Sequence, residues 1–340
     1  MSGASPITLR LTGSAAAAGF RMPAEWERQS VVWLVRPHNE ETWPKCLASA
    51  QREWDAWRAA LARVVEVRDL WEIGVPTNDS WIRDFGPIFV RHATRGVAGH
   101  SFRFNGWGDK YEARTLDDAV PDAIAARWGL PLWHHDFVLE GGSIEVNGSG
   151  TVLTTSQCLE GDNRNPEAGK GRIEQVLRDA LGVTHVVWLP GGIKGDDTDG
   201  HIDDLARFVA RDTIVSIRAP KGHPDHEILE CNWAALNEAR DERGDPFKVI
   251  ALPVPEPIFY DYPADRFGPG GRSMLPASHA NFLLSNGCAF VPVFDSGSDG
   301  KAIDVLAQAL PGWRVEPVMA RHLVVGLGSL HCLSCHQPAP

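Results

Sequence analysis

Residues 45–65 read KCLASAQREWDAWRAALARVV, and residues 66–71 continue EVRDLW. Apolar residues in the first stretch recur at spacings of three and four, the mark of an amphipathic helix. The second stretch is strand-like. This order returns four more times. DDAVPDAIAARWG (117–129) precedes LPLWHHDFV, and GRIEQVLRDALG (171–182) precedes VTHVVWL. HEILECNWAALNEARDER (226–243) precedes FKVIALPV, and KAIDVLAQALPG (301–312) precedes WRVEPVM. Each pair leads into a polar or Gly-rich loop: TNDSWIRDFGP (77–87), LEGGSIEV (139–146), GGIKGDDTDGHIDD (191–204), GGRSMLPASHAN (270–281) and GLGSLHC (326–332). Further strand text follows, with turns at Asn147-Gly148, near Arg211-Asp212 and at Asn286-Gly287. Asn-Gly is a strong hairpin signal. Trp71, Trp133, Trp188 and Trp313 fall near corresponding points, which gives a unit of about 60 residues.

A unit of three strands and one helix, repeated five times, can close into a ring. Closure removes exposed sheet edges. The loops would then converge at one mouth of a central channel. A doubly wound sheet with hairpin insertions competes, but leaves the unusual text of every loop unexplained. The Pro-rich stretch LPVPEPIFYDYPADRFGPGG (252–271) is too apolar for a flexible linker and is expected to lie over the mouth. Residues 22–340 are read as one catalytic domain. Residues 1–21 are read as a poorly specified N-terminal extension.

The 340 residues are 43% hydrophobic and 23% charged, ordinary for a globular chain with a substantial core. No apolar run of about 18 residues predicts a membrane span. A formal charge of −11 disfavours nucleic acid as a partner and suits a cationic ligand. The start carries Arg10, Arg21 and the run Ala15 to Ala18, with no acid before Glu25. That composition admits a short organellar transit peptide. A frayed polar start, and with it a cytoplasmic location, is the preferred reading. Arg10 and Gly13 interrupt any secretory signal.

The cysteines are Cys46, Cys158, Cys231, Cys288, Cys332 and Cys335. They form no disulfide scaffold, and a reducing compartment is expected. SLHCLSCHQP (329–338) contains Cys-x-x-Cys-His, the attachment pattern of a c-type haem. It also contains a redox-like Cys-x-x-Cys and a Cys/His knuckle. Little chain follows to wrap a haem, and no second Cys/His cluster completes a zinc site.

The loops pool chemistry. The first supplies Asp79, Arg83 and Asp84 with Trp81 between, and the second supplies Glu140 before Gly141-Gly142. The third supplies Asp196, Asp197, Asp199, His201, Asp203 and Asp204, and the fifth His331 and Cys332. Blander roles compete: Asp79 could cap a turn, Glu140 could pair with a surface arginine, and the acidic loop could face solvent. GDDTDGHIDD lacks the spacing of an EF-hand loop, so no metal is expected. Thiol, imidazole and an orienting acid together form the logic of a covalent nucleophile. In strand geometry His201 and Asp203, two apart, point the same way. Several carboxylates beside a thiol raise its pKa. A cationic substrate offsets this. A guanidinium fits, being planar, always charged and suited to bidentate carboxylate pairing. Bound, it would favour the thiolate. The reaction centre is therefore read as a guanidinium carbon held between Asp84 and Asp203.

TNDSWIRDFGP, EGGSIEVNGSGTVLTT, TDGHIDDLARF and GLGSLHCLSCHQP together resemble the four signature blocks of agmatine deiminases, and MPAEWERQSVVWL (22–34) resembles that family's start. The family lies in the guanidine-modifying superfamily, beside bacterial peptidylarginine deiminases. The resemblance covers about residues 22–338 and implies a five-fold pseudosymmetric α/β propeller. It implies Cys332 as nucleophile, His201 as proton shuttle, Glu140 orienting that histidine, and Asp84 and Asp203 gripping the guanidinium. Attack by Cys332 and loss of ammonia would leave a covalent thiouronium. Water activated by His201 would then release a ureido product, N-carbamoylputrescine from agmatine. No cofactor or metal is implied. Where the family carries polar glutamines after the nucleophile, this chain has Cys335 and His336. Cys335 could then form a regulatory disulfide with Cys332.

Agmatine ends in an amine, which calls for an acid or an aromatic face. Asp197 stands where relatives place such an acid, with Asp199 nearby, and Trp81 and Trp107 could flank the aliphatic chain. Free arginine would need a cation for its carboxylate, for which Arg83 or Arg272 could serve. Peptidyl-arginine usually implies export. A catalytically dead polyamine-binding relative, a metal-dependent agmatinase releasing urea, and a homo-oligomer remain as alternatives.

Overall fold

A computed structural model describes residues 9–264 and 271–340. The helix Leu47–Leu61 buries Ala50, Trp54, Trp57, Ala60 and Leu61, the stripe that its spacing predicts. It begins two residues later than the pattern at 45–65, because Lys45 holds a left-handed φ of 63°. The helix Lys170–Leu181 buries Ile173, Val176, Leu177, Ala180 and Leu181 along one face. Gly182, at φ 69°, ends it with the left-handed cap that glycine adopts without steric cost.

Among the described residues, five sheets share one plan: an antiparallel pair, then a helical crossover to a strand parallel to the second. Ile88–His92 pairs with Gly96–Arg103, and the helix Val120–Trp128 leads to Leu132–Val138. Glu145–Val146 pairs with Thr151–Thr155, and Lys170–Leu181 leads to His185–Leu189. Ala206–Ala210 pairs with Thr213–Arg218, and the helix His226–Glu238 leads to Lys248–Pro253. Leu283–Ser285 pairs with Cys288–Val293, and the helix Asp299–Ala309 leads to Arg314–Met319. The remaining sheet joins the two ends of the chain. Ser334–Pro338 runs antiparallel to Gln29–Leu34, and Leu47–Leu61 leads to Glu66–Asp69. The fold is thus mixed α/β, with apolar clusters between helices and sheets.

The expected hairpins are present. At Asn286-Gly287 both residues hold positive φ, 44° and 86°, as a two-residue hairpin turn requires. Other readings change. The four tryptophans are not equivalent. Trp71 follows its strand and is exposed, Trp133 is buried within one, Trp188 is partly buried, and Trp313 precedes its strand. Residues 9–21, expected to fray, are held on the protein. Arg10–Leu11 pairs in parallel with Leu132 and Trp133, and Ala15 and Phe20 are buried. The Pro-rich stretch forms a ribbon of Phe259–Tyr262 against Gly271–Met274; its residues 265–270 lie outside the described residues. Tyr262 Oη donates to the Val325 carbonyl at 2.5 Å and Tyr260 Oη to that of Pro44, so the ribbon lies on the loop preceding Cys332. No helix of the described residues is long and apolar enough to cross a membrane.

Candidate active site

Three short turns, Ile82–Phe85, Gly141–Ser143 and Ile202–Asp204, carry Asp84 and Asp203 and are preceded by Glu140 and His201, while Cys332 lies in the loop before Ser334–Pro338. Ile202–Asp204 is a 3-10 turn, which corrects the strand geometry expected for His201 and Asp203. Both residues still reach one centre. Asp84 Oδ1 accepts from the Gly142 N–H at 2.9 Å and lies 3.6 Å from His201 Nδ1. Its Oδ2 accepts from Trp107 Nε1 at 2.9 Å. Gly106, Trp107, Gly108 and Asp109 all have positive φ, so the loop turns sharply as it aims the indole at Asp84. A β-carbon on Gly142 would lie 2.5 Å from His201 Nδ1, 2.7 Å from Asp84 Oδ1 and 3.2 Å from Asp203 Oδ2. Glycine is needed there because the three groups close on its Cα.

Cys332 is buried, and its Sγ accepts from Asn281 Nδ2 at 2.9 Å and lies 3.6 Å from Asp203 Oδ2. The Arg83 N–H donates to the Cys332 carbonyl at 3.2 Å, tying the first loop to the fifth. Burial, then the carboxylates of Asp203, Asp204 and Asp84, push the Cys332 thiol well above its ordinary pKa. Burial by itself would lower His201. The Asp84 carboxylate, with Cys158 and Glu140, raises it well above the usual histidine range. The resting site thus couples a thiol with an imidazolium. Burial pushes Asp84 up to about 6, against the pull of His201. Asp203 would also rise on burial, but the hydrogen bond and charge of His331 hold it below the ordinary value.

Glu140 is fully buried and accepts from Arg164 Nε at 3.0 Å, not from a surface arginine. Its Oε2 is unbonded, and its ligand oxygen lies within 4.8 Å of both Cys158 Sγ and a ring nitrogen of His201. Cys332, Trp81, Asp84, Trp107, Tyr111, Asp197, Thr198 and Gly326 to Gly328 line one pocket. Tyr111 Oη donates to the Asp197 carboxylate. A wider vestibule shares Trp107 and Tyr111 with this pocket and carries Glu40, Glu41, Asp79 and Glu112 on its wall.

Two expected substrate contacts are placed elsewhere. Arg83 points into a buried network, with Nε on the His331 carbonyl at 3.2 Å and a terminal nitrogen 3.6 Å from Glu25. Asp199 is engaged by Lys110 at 2.7 Å, by Asn163 at 3.0 Å and by Arg164. Asp79 accepts from Thr42 at 2.5 Å. Arg272 stacks over the Phe259 ring at 5.0 Å. Asn281, Glu25 and Arg207 lie inside the quoted stretches and Arg164 outside them, yet none is marked there as part of the site, since each meets its partner across at least 24 positions.

Cys335 and Cys332 face different surroundings. Cys335 Sγ donates to the Pro87 carbonyl at 3.3 Å, and both cysteines are free thiols. Cys335 Sγ thus faces the Pro87 carbonyl and Cys332 Sγ faces Asn281, and the expected regulatory disulfide between them is not formed. The haem and knuckle readings meet the same geometry, because His336 Nδ1 faces Arg83 at 3.2 Å and His331 is spent on carboxylates. Among the described residues, Glu140, Cys158 and His201, and Asp203, Asp204 and Cys332, each gather three potential ligand atoms within 4.8 Å. Arg164 holds one oxygen of Glu140, His331 one of Asp203 and Asn281 one of Asp204, while Glu140 Oε2 and Asp203 Oδ1 stay unbonded.

The profile of the family described as Porphyromonas-type peptidyl-arginine deiminase matches residues 21–338. The agmatine deiminase of Pseudomonas aeruginosa (strain LESB58) is 34% identical, over 97% of this chain and 98% of its own. The solved agmatine deiminase of Enterococcus faecalis superposes with a TM-score of 0.91 at 28% identity, covering 98% of this chain and 100% of its own. A cysteine-to-serine form of C. jejuni agmatine deiminase with substrate bound superposes at 0.83 with 30% identity, covering 94% of this chain and 96% of its own.

Proposed function

The chain belongs to the Porphyromonas-type peptidyl-arginine deiminase family, and on that premise we propose that it hydrolyses the guanidinium of agmatine to N-carbamoylputrescine and ammonia. The convergence of Cys332, His201, Asp84 and Asp203 on one buried centre, with Cys332 and Asp84 lining the pocket beside it, carries this reading. Asp84 and Asp203 grip the guanidinium from two sides. Its positive charge offsets the carboxylates that hold Cys332 as a thiol, so as substrate binds the thiol gives its proton to solvent and the thiolate forms. The Cys332 sulfur then attacks the central carbon and a C–S bond forms. His201, positioned by Glu140, gives its proton to a guanidinium nitrogen. The C–N bond breaks and ammonia leaves a thiouronium on Cys332. His201 takes a proton from water, whose oxygen attacks the same carbon. The C–S bond breaks, the hydroxyl proton passes to the sulfur as the C=O forms, the thiol is restored, and the ureido product departs.

Asp197 supports agmatine over free arginine, because it lines the pocket where an amine tail would lie. Neither Arg83 nor Arg272 lines it, so neither is set to meet an α-carboxylate. The reading takes the five sheets as blades of a five-fold pseudosymmetric α/β propeller around a central channel, with residues 22–340 as its single catalytic domain. The repeated strand plan and the pairing of the two chain ends support it. It places the enzyme in the cytoplasm.

The test gives purified protein agmatine, arginine or a peptidyl-arginine, with and without EDTA, and scores ammonia against urea. Ammonia from agmatine, unaffected by EDTA and reduced by about 10³-fold or more in Cys332→Ser, is expected. Urea release, or an unaltered rate in Cys332→Ser, would overturn the mechanism. Preference for arginine would overturn the substrate.

A further inference from the structure

The residue before the nucleophile has no part in the reaction as written, yet it is among the most constrained in the protein. His331 is buried, with Nδ1 2.7 Å from Asp203 Oδ2 and Nε2 2.8 Å from Glu25 Oε2. Each ring nitrogen therefore faces a carboxylate at hydrogen-bond distance. A neutral imidazole carries one N–H and could serve only one of them. We propose that His331 is a buried imidazolium that positions Asp203 and offsets the negative charge around Cys332.

The surroundings support a second proton. Glu25 accepts from the Leu284 N–H at 2.7 Å and pairs with Arg207 at 2.9 Å. Burial would raise Glu25, but Arg207 and His331 hold it well below the ordinary range. Every element packed around His331 brings charge. Arg83 comes from the Ile82–Phe85 turn, and Arg207 from its strand, where it also pairs with Glu145 at 3.0 Å. His336 lies 3.6 Å from Glu25, and burial and Arg83 push it down to about 3, so it is neutral. Arg83, Arg207 and a protonated His331 face Glu25, Glu145 and Asp203, with burial raising Glu145 and, beside Asp203, Asp204. With His331 neutral, one ring nitrogen would point a lone pair at a carboxylate oxygen less than 3 Å away, which is costly in the interior.

The consequence reaches the sulfur. Asp203 Oδ2 lies 3.6 Å from Cys332 Sγ, and it is also the oxygen that His331 holds. Its partner Oδ1 is left unbonded, and this is the oxygen available to a guanidinium. His331 thus occupies an oxygen that opposes the thiolate and leaves the other for substrate. This makes it a positioning residue. The inference rests on Cys332 being the nucleophile of the proposed reaction.

The test combines two readouts on the full-length protein. Nitrogen-15 histidine spectra of the free wild type report protonation without any turnover. Beside the imidazolium of His201, a second imidazole with both nitrogens protonated is expected, its signals absent in His331→Gln. The pH dependence of Cys332 alkylation by iodoacetamide is the second readout. In His331→Gln, and in Glu25→Gln should the first variant fail to fold, its midpoint should rise by about 1 pH unit or more. Agmatine kcat/KM should fall on the order of 10- to 100-fold, the scale of partners that orient a reacting group elsewhere. A neutral His331 at pH 7, or an unmoved alkylation midpoint, would overturn the inference. If agmatine is not turned over but the imidazolium is present, the proposed function fails and the protonation assignment stands.

Discussion

Asp84 accepts from Trp107 and from Gly142 and faces His201, so it is oriented before any substrate arrives. Burial sets its carboxyl at about 6, just under working pH. A raised carboxyl pKa means that the acid form takes over as pH falls through that value. The neutral acid cannot pair with a guanidinium. Agmatine kcat/KM should therefore fall below pH about 6, approaching tenfold per unit, as a pH–rate profile would measure. A profile flat to pH 5 would contradict this. Cys332, His201, Glu140, Asp84 and Asp203 were legible because each stands in a distinctive loop. Asn281, Glu25 and Arg164 were not. Asn281 meets Cys332 across 51 positions and Glu25 meets His331 across 306, distances at which no local pattern reports contact.

At the scale of elements, the helix Lys170–Leu181 buries one face and exposes the other. Leu177 is fully buried, whereas Gln175 is exposed and donates to Asp179 at 3.0 Å. Leu177→Ala should lower stability by about 2–5 kcal/mol through lost burial and a cavity. Gln175→Ala should change it by less than about 0.5 kcal/mol. Urea denaturation midpoints measure both, and equal effects would mean that the helix packs differently. Helices and hairpins were readable because periodicity and Asn-Gly turns are local signals. The 3-10 turns at Gly141–Ser143 and Ile202–Asp204 were not, because loops rich in Gly and Asp carry no period. Their shape depends on what they pack against.

The whole molecule carries a formal charge of −11, and its vestibule presents Glu40, Glu41, Asp79, Glu112 and Asp117 against Lys45, Lys110 and Arg114. Such a field draws a dicationic substrate inward, and salt screens it. Raising ionic strength from about 20 to about 300 mM should raise the agmatine KM by about twofold or more, with kcat little changed. Steady-state rates across a salt series measure this, and a constant KM would show that steering does not matter here. The alternation of helix and strand and the hairpins were determined by the sequence alone, because spacing is a local property of the chain, and the proposed nucleophile, shuttle and gripping acids came from loops that resemble the family's blocks. Tertiary structure decided which charges exist. Burial and partners from distant segments make Cys332 a thiol and His201 an imidazolium, turn Arg83 away from the pocket, and set His331 between two carboxylates. A proton's affinity depends on the dielectric and the neighbours around it, and only the folded chain assembles those.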